Sequence, residues 1–185
     1  MDGFTAKINN HTCRITRCGY TGEDGFEISC DSVESVEALL SSADLKWAGL
    51  AERDVLRLEG GMCLYGNDLT EDTTPYSARL MWLVNKERRK DCKFPGAEKI
   101  LKELEDKKPE SGAFRVGLIK SSGGRALRAG MDVYDEGMTK IIGSTTSGSP
   151  CANVEGVESI AQAYADIFLM FFNDFKKIFS FWKML

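Results

Sequence analysis

Three side chains in this sequence combine charge with a spacing that could hold a flat polar ligand: Glu27, Arg53 and Arg57. Glu27 follows the run Cys18-Gly19-Tyr20-Thr21-Gly22-Glu23-Asp24-Gly25-Phe26, where glycines recur at every third position. Such a run predicts a tight turn between two extended segments, since glycine supplies positive φ and Asp-Gly is a favoured hairpin dipeptide. On the strand that follows, Phe26, Ile28 and Cys30 point one way and Glu27 and Ser29 the other. A carboxylate is thereby fixed beside a glycine turn where a ligand can approach the backbone. An ordinary hairpin with a solvated Glu27 explains the same pattern. The spacing is not the G-x-G-x-x-G dinucleotide fingerprint.

Arg53 and Arg57 stand four apart on a predicted helix. Like charges at that spacing cost about 0.2–0.5 kcal/mol unless an anion lies between or beyond them. Their planar, bidentate heads suit a ligand carboxylate. Extension into water, or pairing with Glu52, Asp54 or Glu59, explains them equally.

The elements that must position these groups follow from the pattern. Residues 12–30 read as a hairpin. Asp31 stands where an N-cap belongs, with Glu34 three residues on, and Val33, Val36, Leu39 and Leu40 give a helix over 32–42 its apolar face. A second helix over 48–59 carries the stripe Ala51, Val55 and Leu58 and ends at Gly60-Gly61. Met62 to Asp68 reads as a strand breaking into a turn, Leu80 to Val84 as an apolar strand, and Lys86 to Lys90 as a solvated basic linker. A third helix over 97–106 would bury Ile100, Leu101 and Leu104, supported by Glu98–Lys102 and Glu103–Lys107 pairs. Past Pro109 to Gly112 come short strands at 113–119, 131–134 and 138–142, as in a small antiparallel barrel or sandwich. Residues 151–166 stay ambiguous. From Ile167 to Leu185, phenylalanines line one helical face and lysines another, the pattern of a buried terminal helix or a membrane-surface helix.

At 185 residues and 43% hydrophobic composition, the chain can bury a core of one domain or a domain and a half. A net charge of -4 carries no basic stripe for nucleic acid. Six scattered cysteines without a C-x-x-C, and His11 as the only histidine, assemble neither a zinc site nor a histidine-based triad. Without a visible secretory signal, reduced intracellular thiols are expected, and the sequence leaves a disulfide pair open. The tail carries too much charge to span a bilayer comfortably.

Several segments, taken in order over about 12–166, resemble the aminomethyltransferase (T-protein) family of the glycine cleavage system. They are Arg17 to Ile28, Ala48 to Met62, Cys63-Leu64-Tyr65-Gly66-Asn67-Asp68, Thr73-Thr74-Pro75, Phe94-Pro95-Gly96-Ala97 and Thr146-Ser147-Gly148. Cys18 before Gly19, and the basic Lys86 to Arg89, resemble the mitochondrial members. The resemblance implies an α+β fold, with part of a folate-binding mixed sheet-and-helix domain over 1–108. An incomplete C-terminal antiparallel β-barrel would occupy 109–166 and a divergent amphipathic tail 167–185. It implies tetrahydrofolate as acceptor substrate and the lipoylated H-protein as partner, in the mitochondrial matrix. The reaction would take the aminomethyl group from the lipoyl arm, release ammonia and leave methylenetetrahydrofolate. Glu27 would accept hydrogen bonds from the folate ring nitrogens, and Arg53 would be the basic residue of the folate site. Arg57 would be structural, and Tyr20 would pack near the pterin.

Departures accompany the likeness. The family's catalytic aspartate belongs to an N-terminal portion that this sequence does not match, so no catalytic residue is assigned. Tyr76-Ser77 stand where a small or acidic pair is usual, and from Ile167 the likeness stops. The sequence therefore reads as an internal fragment with a foreign tail, the product of a mis-joined gene or a variant transcript. The alternatives are a folate-binding relative of the demethylating-flavoenzyme or tRNA-modifying type, or a non-catalytic product that acts by association.

Overall fold

The computed structural model describes residues 2–42 and 45–167. They are mixed α and β, with two antiparallel sheets and four α-helices, and they cluster into two compact units that divide between Met62 and Cys63.

The first unit is built on a three-stranded sheet in the order β1 (Gly3–Ile8), β2 (His11–Thr16), β3 (Glu27–Cys30). Strand β1 lies ahead of Thr12, where the sequence pattern starts its strands. Its signal was the turn Asn9-Asn10, where both residues take positive φ (48° and 68°), the geometry of a two-residue hairpin that asparagine tolerates. The expected tight turn between β2 and β3 is instead a ten-residue loop over 17–26. Of its three glycines only Gly22 has positive φ, +78°. A Cβ there would lie 2.9 Å from the Cα of Gly60. Glycine is required at this position by a close passage of two backbones as well as by the turn.

Helix α1 spans Val33–Ser42. Its cap lies one residue later than expected, because Ser32 Oγ, and not Asp31, accepts from the Ser35 amide at 3.2 Å. Asp31 instead accepts from the Ser35 hydroxyl at 2.9 Å. The apolar face assigned to this helix is not packed away: Val33 and Val36 are exposed and Ser35 is buried. Helix α2, Leu50–Glu59, starts after Gly49 and stops at Gly60-Gly61, with Gly61 at φ +70°. Leu58 is buried as the stripe requires, and Ala51 is exposed.

In the second unit, Cys63 to Asp68 is a turn, with a lone bridge between Tyr65 and Leu69 where a strand was expected. Met81–Leu83 is a single 3-10 turn, so the expected strand at 80–84 does not form. The basic run is a helix, α3 (Lys86–Asp91), and no linker. The Asn85 side chain caps it by accepting from the Glu87 amide. Helix α4, Ala97–Asp106, has its expected bounds, but Ala97 and Glu103 are the residues it buries, and Leu104 is exposed. Glu103 accepts from the Glu110 amide at 2.8 Å instead of serving a surface pair.

Four antiparallel strands complete this unit in the order β4 (Phe114–Lys120), β7 (Ser159–Ala165), β6 (Ile141–Pro150), β5 (Asp132–Tyr134). Met138, expected in a strand, sits in a turn with φ 53°. The ambiguous stretch 151–166 contains β7, an inner strand of the sheet, paired on both sides and almost wholly buried. Its sequence, Ser-Ile-Ala-Gln-Ala-Tyr-Ala, is short of the β-branched residues by which strands are recognised. Ala163 and Ala165 pack with Val116, Leu118, Val133 and Ile167 into the core of the sheet. Beyond Ile167, the aromatic helix expected at 167–185 lies outside the described residues.

Candidate functional site

The loop over 17–26 organises the first unit's charged groups. It lies along helix α2, with Tyr20 under Arg53 and Gly22 against Gly60. Arg53, exposed on α2, holds its guanidinium carbon 4.4 Å from the centre of the Tyr20 ring. A cation so placed gains about 0.5–1 kcal/mol at an exposed site. The contact sets the direction of the side chain and leaves the guanidinium's edge N–H groups for a ligand.

Two residues before Tyr20, Cys18 faces Glu27 at the start of β3. Burial pushes the Cys18 thiol up, and a hydrogen bond to the Glu27 carboxylate, with that group's charge, adds to the rise. Glu27 lies beside this thiol and is itself exposed. Both candidate residues thus touch the same loop, Glu27 through Cys18 and Arg53 through Tyr20. Beside them, Arg17 donates to both carboxylate oxygens of Asp24, at 2.9 and 2.7 Å. The pair borders an open polar hollow of about 300 Å³ lined by Asp2, Arg17, Cys18, Gly19, Glu23, Asp24 and Gly25.

Arg57 differs from Arg53 although it lies one turn away. It is 1% exposed, pairs with Asp54 at 2.7 Å and donates to the Met62 carbonyl at 3.1 Å. Its fork joins the helix to the chain leaving it, so a ligand cannot reach it without breaking those bonds. The two arginines do not form a clamp.

Asp68, in the second unit, is an organising residue that the sequence pattern does not single out. It is 1% exposed and accepts from the Leu64 amide at 2.8 Å, from the Ser147 hydroxyl at 2.7 Å and from the Thr146 hydroxyl. Consecutive residues of a regular strand face opposite ways. Thr146 and Ser147 can both reach Asp68 because β6 carries a bulge there, with Thr145 opposite Ala163 and Ser147 opposite Gln162. Tyr164 donates from β7 to the Asp68 carbonyl at 2.9 Å, and burial raises its phenol to about 12. The signal for Asp68 was an acid closing a Gly-Asn turn, a position where a short carboxylate takes up backbone N–H groups. The turn it ties down presents Tyr65, 70% exposed. Among the described residues no group of His, Cys, Asp and Glu could hold a metal ion, and no helix is long and apolar enough to cross a membrane.

Comparison with known proteins bears on both regions. Residues 1–88 match the family described as the GCVT N-terminal domain. The chain is 44% identical over 155 residues to the mitochondrial aminomethyltransferase of Homo sapiens, covering 82% of this chain and 36% of that protein. With the mitochondrial aminomethyltransferase of Pisum sativum it shares 48% identity over 151 residues, covering 78% and 36%. Among solved structures, the glycine cleavage system aminomethyltransferase T from Bartonella henselae matches with a TM-score of 0.77 at 40% identity. That match covers 91% of this chain and 45% of the other. The chain spans little more than a third of the length of the curated relatives it matches.

Proposed function

We propose that this chain, which is similar to the glycine-cleavage aminomethyltransferases, supplies part of the folate-binding scaffold of such an enzyme. In this reading the whole protein takes the aminomethyl group from the lipoyl arm of the H-protein, releases ammonia and leaves methylenetetrahydrofolate. Residues 1–108 are part of the folate-binding domain and 109–166 part of a C-terminal β-barrel, of which the four-stranded sheet is one segment. The relatives named mitochondrial support the matrix as its compartment.

The observation that carries the proposal is the shared loop. It brings an exposed carboxylate, Glu27, and an exposed guanidinium, Arg53, to a single backbone segment. Folate has complementary ends, a pterin with ring N–H donors and a glutamate tail with carboxylates. Glu27 accepts from the pterin, and Arg53 attracts the anionic ligand and donates to it. Tyr20 offers a flat face beside them. These groups bind and orient the acceptor. The proton transfers of the reaction are assigned to none of them.

Fluorescence titration of tetrahydrofolate into the protein and its Arg53→Ala variant tests the reading. Saturable binding weakened by about 1–3 kcal/mol is expected, the cost of losing a charged hydrogen bond. Equal affinity of the two proteins removes Arg53 from the site. Ammonia release that depends on lipoylated H-protein tests the reaction itself.

A further inference from the structure

Cys13 on β2 and Cys30 on β3 stand directly opposite each other in the first sheet. Their sulfurs are 3.6 Å apart and both are free thiols. The other four cysteines lie outside the strands. The pair is asymmetric in exposure, since Cys13 is 1% exposed and Cys30 is half-buried. We propose that Cys13 and Cys30 form a reversible dithiol–disulfide site, oxidised by small-molecule disulfides that reach Cys30 first.

The chemistry follows from that asymmetry. The Cys30 thiolate attacks one sulfur of a small disulfide, forming a mixed disulfide and expelling one thiolate. Cys13, too enclosed to meet the reagent, then attacks the Cys30 sulfur across the strand pair. The protein disulfide forms and the second small thiolate leaves. The two protons shed by the cysteines end on the two departing thiolates, so two protein thiols and one disulfide give one protein disulfide and two small thiols.

Sheet geometry makes the bond reversible. Cβ atoms of directly opposed strand residues sit about 4.5–5.5 Å apart, whereas a relaxed disulfide holds them near about 3.8 Å. Closing the bond draws the strands together and strains it, and strained disulfides are the reducible ones. The bridge would pin β3, whose first residue is Glu27, to the centre of the sheet.

The test is incubation of the intact protein with glutathione disulfide, followed by non-reducing peptide mapping. A Cys13–Cys30 linkage is expected in at least tenfold excess over any other pair, reopened by excess glutathione. The Cys13→Ser variant should retain one glutathione on Cys30, with no resolving partner, and the Cys30→Ser variant should leave Cys13 unmodified. Should a serine variant misfold, the wild-type map still decides. Scrambled linkages, a stable Cys30–glutathione adduct in the wild type, or six unreacted thiols would each overturn the proposal.

Discussion

The candidate site of the first unit and the turn around Asp68 in the second hold their polar side chains in opposite ways. Glu27 and Arg53 face solvent, and the loop that lies between them passes backbone against backbone, Gly22 against Gly60. From Cys63 onward, polar groups are buried within the fold: Asp68, Arg115, Thr145, Ser147, Ser149, Ser159 and Gln162. Arg115 donates to the Ala78 carbonyl at 2.8 Å and to Gln162 at 3.0 Å, so its charge is met inside the sheet. A loop located by its main chain leaves side chains available to a ligand. A turn located by buried side chains gains a unique conformation, at the risk that losing any partner strands the others. The first arrangement suits binding and the second suits holding a turn still.

The largest expected effect breaks the second arrangement. Asp68→Ala leaves the Leu64 amide and the Thr146 and Ser147 hydroxyls without their shared acceptor. Each buried orphan costs about 1–3 kcal/mol, and Thr146 has a partial alternative in the Gln162 carbonyl, so a loss of about 3 kcal/mol is expected. Asp68→Asn, which keeps one acceptor oxygen, should lose less. The urea midpoint of unfolding reads both, and a midpoint unchanged by Asp68→Ala would show that the buried network does not hold the turn.

Next in size is the corresponding break in the first unit. Gly22→Ala forces an L-residue to φ +78° and sets a methyl 2.9 Å from backbone that must move. Left-handed strain and overpacking together predict a loss of about 2–3 kcal/mol. Gly25→Ala, where φ is ordinary and nothing lies within 4 Å, should stay within about 0.5 kcal/mol. Equal losses at both glycines would refute backbone contact as the device that locates the loop.

Helices were more legible than strands, for a physical reason. Helix α4 announced its bounds through Pro95-Gly96 and a long periodic run, and α2 through Gly60-Gly61. Strand β7 did not, since its neighbours on both sides are other strands and small residues suffice to fill the space. The apolar run at 80–84 imitated a strand because a short apolar run has no period of its own. Of the candidate site, residue types and order could nominate Glu27 and Arg53. Their common neighbour loop could not be read, since it depends on Gly22 meeting Gly60 across the fold. Spacing alone does not separate Arg53 from Arg57, although the family resemblance implies a structural Arg57. Only packing decides which of two arginines one turn apart is 1% exposed.

The smallest effect sharpens the contrast through pH. Tyr164 donates to the Asp68 carbonyl, and burial, followed by the charge of Cys63, raises its phenol from 10 to about 12. The raised value means that the folded chain holds this proton after the unfolded chain has lost it. The stability it contributes is therefore whole below pH 10 and drains away as pH climbs towards about 12. Tyr164→Phe should abolish that part of the slope, at a cost near neutral pH of about 0.5–1.5 kcal/mol for the hydrogen bond. Urea midpoints across the alkaline range, compared between the two proteins, measure the difference. Parallel curves would mean that Tyr164 is open to water in the folded chain, and that the polar interior around Asp68 is no drier than the exposed site of the first unit.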